Sequence, residues 1–344
     1  MMGHAARPLA VTLGDPSGIG PELILKAWRH ARLRGGVPAF AVMGDARFLA
    51  MAARRLGCDL AVEACLGADA PAIFPKALPV VELGYEIDAE PGRPSVANAP
   101  AVIASIERAV RLVKAGSCSG VVTSPIAKHV LQRSGFRHVG HTDYLGALAT
   151  ELWGRAVLPV MLLWSPELAV VPVTVHIPLA EVPIRLTSDL IVETGRVVAG
   201  DLSARFGIAS PRLAVAGLNP HAGEDSTIGR EESRIIAPAV ARLREVGISA
   251  SGPYPADSLF HPGARSSYDV VLAMYHDQAL VPIKTIAFDE AVNVTLGLPF
   301  VRTSPDHGTA FDIAGRGVAR PDSFIAALQL AGRLTQMEPA AAAQ

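Results

Sequence analysis

Cysteine is nearly missing from this chain: Cys58, Cys65 and Cys118 are odd in number and sit at no metal-type spacing. That excludes a disulfide-stapled scaffold and fits a reducing cytosol. Charged residues are also few, at 18%, while half the chain is hydrophobic, which excludes a disordered polyelectrolyte. Neither sign of charge dominates, since 31 Lys and Arg face 32 Asp and Glu. No basic field advertises nucleic acid, so any anion bound here must be met by local cations. Long apolar runs are absent as well, although mean hydropathy is +0.33. The longest, AVLPVMLLW (156–164) and LAVVPVTV (168–175), have nine residues or fewer and carry prolines. A bilayer helix needs about 20 apolar residues, so these read as strands. The opening MMGHAARPLAVTLGD runs straight into a strand without a signal-peptide core, and a cytoplasmic protein away from membranes is expected.

What the chain does have is alternation. At 344 residues it exceeds a single core, and about two domains are expected. Apolar β-type runs such as LAVTL (9–13), GVVTS (120–124), RLAVAGL (212–218) and DVVLAMY (269–275) alternate with amphipathic helical stretches such as 21–33, 96–116, 188–207 and 231–247. This is the pattern of an α/β protein with largely parallel sheets. EACLGADAPAIFPKALP (63–79) reads as a surface excursion.

Three of the strands end in histidine: LAVVPVTV before His176, RLAVAGL before Asn219-Pro220-His221, and DVVLAMY before His276. Strand C-termini in a parallel sheet share one edge, where α/β proteins place ligands. Imidazoles 45 and 55 residues apart can therefore converge on a divalent cation, with an open position left for substrate. Separate loop histidines are the plainer alternative. Asp277 and Glu224 are candidates to orient the ligand rings. His4, His30, His129, His138 and His261 have no such context and read as surface or structural.

Three further strings stand out. GDPSGIGPE (14–22) joins the first strand to a helix and reads as a tight structural turn; it is neither GxGxxG nor a phosphate loop. GHTDY (140–144) precedes a helical run, with Thr142 or Asp143 as N-cap and His141 and Thr142 as donors to an anion. GLPFVRTSPDHGTAFDIAGRG (297–317) sets Arg302 after an apolar run, a guanidinium fork suited to an anion.

GDPSGIGPE, GHTDY, TVHIPL, LNPHAGE, PADSLF, MYHDQALVPIK, VNVTLGLPFVRTS and DHGTAFDIAG occur in this order across nearly the whole chain. Together they resemble the 4-hydroxythreonine-4-phosphate dehydrogenase family of vitamin B6 biosynthesis, whose fold is shared with isocitrate and isopropylmalate dehydrogenases. The resemblance implies two α/β/α domains around a central cleft. Residues 1–138 with 300–344 would form the first, on the nucleotide side; residues 139–299 would form the second, with the metal ligands and a homodimer interface. It implies His176, His221 and His276 as ligands of one divalent ion (zinc, magnesium or cobalt), one of them reaching across the dimer. It implies His141, Thr142, Lys284, Asn293 and Arg302 as contacts to a phosphorylated substrate. It also implies NAD or NADP at the glycine-rich HGTAFDIAG, through His307, Gly308, Thr309 and Asp312. Oxidation of 4-phosphooxy-L-threonine and loss of CO₂ is the implied reaction. Lys284, Asp277 and Asp257 are candidates for the proton acceptor, with Lys284 or Asp277 favoured. Relatives acting on phosphorylated four-carbon sugar acids or cis-diol carboxylates are the nearest alternative. A metallohydrolase and a non-catalytic metal-binding dimer are more distant ones.

Overall fold

The alternation of apolar strands and amphipathic helices becomes, in the computed structural model, two α/β units; residues 7–337 are described. The first unit runs through Val157 and resumes over Leu298–Gln336, and the second is Leu158–Gly297. In chain order the first contributes β1 (Leu9–Thr12), β2 (Phe40–Gly44), β3 (Val62–Ala64), β4 (Leu78–Glu82) and β5 (Val121–Val122). The second contributes β6 (Val160–Trp164), β7 (Ala169–Thr174), β8 (Leu213–Ala216), β9 (Ala250–Tyr254), β10 (Val270–Tyr275) and β11 (Val292–Leu296). β12 (Arg302–Pro305) then returns to the first unit.

The first unit's strands lie in the order β3-β4-β2-β1-β5-β12, every pair parallel. Their near-continuous burial is what parallel strands covered by helices require. Helix Ala99–Lys114 turns Ile106, Ala109 and Val110 toward Val121 and Phe300, and helix His141–Trp153 adds Leu145, Leu148 and Ala149 to the same core. That shared core places 139–157 in the first unit, where the resemblance drew the boundary at 138. Ser105 stitches the layers together: its hydroxyl accepts from Leu13 N at 3.0 Å and donates to Met43 O at 2.7 Å, with no solvent exposure. Ser105→Ala should leave both backbone groups buried without a partner. A loss of about 2 kcal/mol is expected, read as a lower urea midpoint.

The second unit's order is β11-β6-β7-β10-β8-β9. β7, β10, β8 and β9 are parallel, whereas β6 runs antiparallel to both β7 and β11. This antiparallel part of a largely parallel arrangement has a simple reason. Only residues 165–168 separate β6 from β7, too few for a parallel crossover, and Ser165 closes the hairpin by bonding Leu168.

One other expectation changes. The stretch 63–79 is built into the unit: it carries the end of β3, the short helix Ala70–Ile73 and the start of β4, and Phe74 packs edge-on against Trp28 and Phe40. The run after β10 is a helix, His276–Ile286, with Pro282 inside it. Among the described residues no helix is long and apolar enough to cross a membrane. His4 lies outside the described residues.

Candidate functional site

Three parallel neighbours in the second unit, β7, β10 and β8, carry the histidines at their C-terminal ends. Side chains knit these ends together. Thr174 Oγ1 donates to Met274 O at 2.7 Å, tying β7 to β10. Gln278 accepts from Met274 N at 2.6 Å and donates to Gly217 O at 2.8 Å, tying β10 to the end of β8. The rings of His176 and His276 come within 5.5 Å, centroid to centroid, and line one pocket with Thr174, Tyr275 and Asp277. Asp277 Oδ1 lies 2.7 Å from His276 Nδ1, so that nitrogen is occupied and Nε2 is left for a ligand.

The third imidazole is held differently. His221, at φ +55°, opens a left-handed run that continues through Ala222, Gly223, Glu224, Asp225 and Ser226. His176 is also left-handed, at φ +54°. Such backbone is unfavourable by roughly 1–2 kcal/mol for each residue other than glycine, and it concentrates where function requires it. His221 is exposed, and among the described residues no three His, Cys, Asp or Glu side chains gather closely enough within one chain to hold a cation. The chain thus brings His176 and His276 together and leaves His221 apart. Glu224 is exposed, with its backbone carbonyl accepting from Thr227, and the carboxylate beneath this loop is Glu232.

The remaining second-unit candidates lie nearby in sequence and sheet. Lys284 is half-buried on the His276–Ile286 helix, and its spacing from Asp277 puts both on one face, about 10 Å apart along the axis. Asn293, on β11, has a buried Oδ1 with no hydrogen-bond partner, an acceptor that a ligand's N–H or O–H would satisfy. Asp257 is exposed in a single helical turn, Ala256–Ser258.

The first unit gathers donors and cations. His141 begins its helix with Gly140 as N-cap and no side-chain cap. Asp143, one of the two residues expected as a cap (the other being Thr142), instead accepts from Val139 N and pairs with His138 at 2.9 Å. The reason is position: Asp143 sits in the first turn and reaches back over it. Arg302 is 3% exposed on β12 and donates to Thr123 Oγ1 at 2.5 Å. Burial pulls its pKa down to about 9, so it stays charged at neutral pH while poorly solvated. Burial, with Arg302 and Lys128 nearby, holds His141 well below its ordinary value, and its Nε2 is buried without a partner. The ring is therefore neutral near pH 7 and offers one donor. Thr142 follows it, half-buried. Lys128 runs along Gly140, close enough that a Cβ there would meet its Cε at 3.2 Å. Ser124 Oγ, also buried, has no partner.

His141 sets a pH dependence. The unfolded chain protonates this ring near 6.5, whereas the folded chain resists until well below, so stability falls as pH drops through and beneath 6.5. His141→Gln should flatten the fall in urea midpoint between about pH 7.5 and 5.

The glycine-rich strings meet in the first unit. Ile19 N donates to Thr309 O at 3.0 Å, and a Cβ on Gly18 would meet that oxygen at 2.9 Å. Glu22 accepts from Gly317 N and Ala319 N, and Lys26 donates to the carbonyls of the same two residues. Gly14 is packed so tightly on Ser124 and Pro125 that it serves as the turn it was read to be. On the facing segment, His307 lies 3.1 Å from its neighbour's carbonyl, with Nε2 buried and unpartnered; Gly308 and Asp312 are exposed.

Sequence reading passed over Thr123, Ser124 and Lys128, although a strand ending in hydroxyls before a lysine-led helix was there to be seen in GVVTSPIAK. It also passed over Gln278 and Glu232, which give no signal outside the fold.

Comparison with known proteins points one way. The family model described as Pyridoxal phosphate biosynthetic protein PdxA matches residues 37–331. A curated relative from Methylorubrum populi, named 4-hydroxythreonine-4-phosphate dehydrogenase, is 60% identical over 334 residues, covering 96% of this chain and 95% of the relative. The crystal structure of 4-hydroxythreonine-4-phosphate dehydrogenase from Klebsiella pneumoniae superposes with a TM-score of 0.85 at 36% identity, covering 97% and 99% of the two chains. A terephthalate 1,2-cis-dihydrodioldehydrogenase from Burkholderia xenovorans follows at a TM-score of 0.63 and 28% identity, covering 95% and 98%.

Proposed function

We propose, from the fact that this chain belongs to the PdxA family of pyridoxal phosphate biosynthetic proteins, that it oxidises the 3-hydroxyl of 4-phosphooxy-L-threonine with NAD(P)⁺. The β-keto acid so formed loses CO₂ to give 3-amino-2-oxopropyl phosphate, and the enzyme works as a cytoplasmic homodimer. The single observation that carries the reading is the His176–His276 pair with Asp277 on His276 Nδ1, a donor set that suits a divalent cation of the zinc, magnesium or cobalt kind. His221, from the same or the partner subunit, would complete it. When bound, the cation supplies Lewis acidity at the reacting oxygen and the nicotinamide accepts the hydride.

The chain's own residues do the rest. Arg302 and the neutral His141, with Thr142 beside it, hold the substrate's anionic group; Arg302 does so from a position where burial has already removed competing water. Asn293 Oδ1 accepts a substrate hydrogen and fixes orientation. Lys284 or Asp277 takes the hydroxyl proton as the hydride departs, since both stand on the helix that begins at His276; Asp257, on a separate helical turn, is the weaker candidate. His307, Gly308, Thr309 and Asp312 form part of the dinucleotide site. Lys284→Ala should lower kcat by about 10²–10⁴-fold if the amine is the base; near-normal turnover would pass the role to Asp277.

The cis-diol alternative has the 28%-identical dehydrogenase in its favour, yet the buried Arg302 with His141 and Lys128 nearby favours a phosphate group. The deciding assay strips the protein of metal, adds back zinc, magnesium or cobalt, and follows NADH or NADPH with each substrate. Formation from 4-phosphooxy-L-threonine is expected. Reduction only with a diol carboxylate or sugar-acid phosphate, or turnover without any dinucleotide, would overturn the reading.

A further inference from the structure

We infer that Glu232 is the positioning residue for His221: its carboxylate ties down the left-handed turn that carries this imidazole. The inference rests on the proposed role of His221 as a metal ligand. Glu232 is 6% exposed, and its carboxylate accepts three hydrogen bonds. Oε1 accepts from Leu218 N at 2.8 Å and Asn219 N at 2.7 Å, and Oε2 accepts from Asn219 Nδ2 at 3.0 Å. Asn219 Nδ2 also donates to Glu231 Oε2 at 2.7 Å, so the amide is held from two sides.

The geometry around the carboxylate leaves it no freedom. A Cβ on Gly223 would meet Glu232 Oε2 at 2.6 Å, and one on Gly217 would meet Oε1 at 3.2 Å. Gly223, at φ +80°, sits in the middle of the left-handed run, two residues after His221. Glu232 therefore grips the chain just before the run and packs under its centre. It stands at the start of a wide, π-type turn, Glu232–Ile236, ahead of helix Ala237–Glu245. Such turns insert a residue and re-aim side chains at functional sites. Without this grip, the run from His221 to Ser226 keeps only short-range bonds such as Ile228 N to Gly223 O and Thr227 to Glu224 O, and relaxation of even one residue would swing the imidazole away.

The carboxylate form is needed, not just the shape. A Gln at 232 would keep one acceptor for Leu218 and Asn219 but place a second N–H₂ against Asn219 Nδ2, donor against donor. Glu232→Gln is therefore the chosen variant, and Gly223→Ala, which crowds Oε2 without removing it, is the second. Metal-stripped wild type and both variants are titrated with zinc by equilibrium dialysis, and metal-free folding is checked by thermal melting. Both folded variants should bind zinc about 10–100-fold more weakly, with kcat largely restored at saturating zinc. A merely structural role predicts lower melting with wild-type zinc affinity in the folded protein, and that result overturns the inference alone. Wild type that takes up no zinc would overturn the metal-ligand reading beneath it, and the inference with it. If Glu232→Gln fails to fold, unchanged zinc affinity in Gly223→Ala is sufficient to reject the idea.

Discussion

Arg302→Ala should cut kcat/KM for 4-phosphooxy-L-threonine by about 10²–10³-fold, the scale for losing one partner of a buried charged contact. The guanidinium is buried on β12, steadied by Thr123, and pulled down to about 9 by desolvation. Keeping such a cation out of water is unfavourable, and a bound phosphate oxygen offsets that without ordering a long flexible side chain. Arg302→Lys should recover little, because a lysine offers a point charge where the strand aims a planar fork. Steady-state kinetics with fixed dinucleotide and metal read the effect. A loss under about threefold in Arg302→Ala would place the substrate anion elsewhere.

His276→Ala should abolish tight metal uptake and reduce turnover by at least about a thousand-fold, well beyond the 10–100-fold expected for the orienting carboxylate in Asp277→Asn. The two variants separate a direct ligand from its support. His276 meets His176 in one pocket and begins a helix, so its ring can be lost without removing a core contact; Asp277 meets that ring at Nδ1, away from the nitrogen left for a ligand. Metal content after dialysis, measured beside NADH formation, tests both. An alanine variant that retains a full complement of metal would remove His276 from the ligand set.

Much of the α/β order was legible because burial and strand period coincide. β1, β2, β7 and β10 are apolar runs buried along nearly their whole length. The missed strands break that link. β12 reads Arg-Thr-Ser-Pro and is buried throughout, its polar side chains bonded inward, Thr303 to Ala327 O and Arg302 to Thr123. β3 is a three-residue edge strand with little burial, and β9 contains Gly252 and Pro253. The helix after β10 was hidden by Pro282. Among site residues, the histidines could be found because a strand end is a sequence feature. Glu232 and Gln278 could not: each acts on a segment brought alongside by parallel neighbours, and no spacing along the chain encodes that.

Positions 176 and 221 have one more consequence. Both imidazoles hang from backbone that glycine alone adopts with ease, so a glycine at either place would relieve up to about 1–2 kcal/mol, less its greater freedom when unfolded. A laboratory lineage bred solely for heat tolerance would therefore drift there toward glycine. With both imidazoles as the proposed metal ligands, robustness and turnover pull against each other at the same two points on the chain.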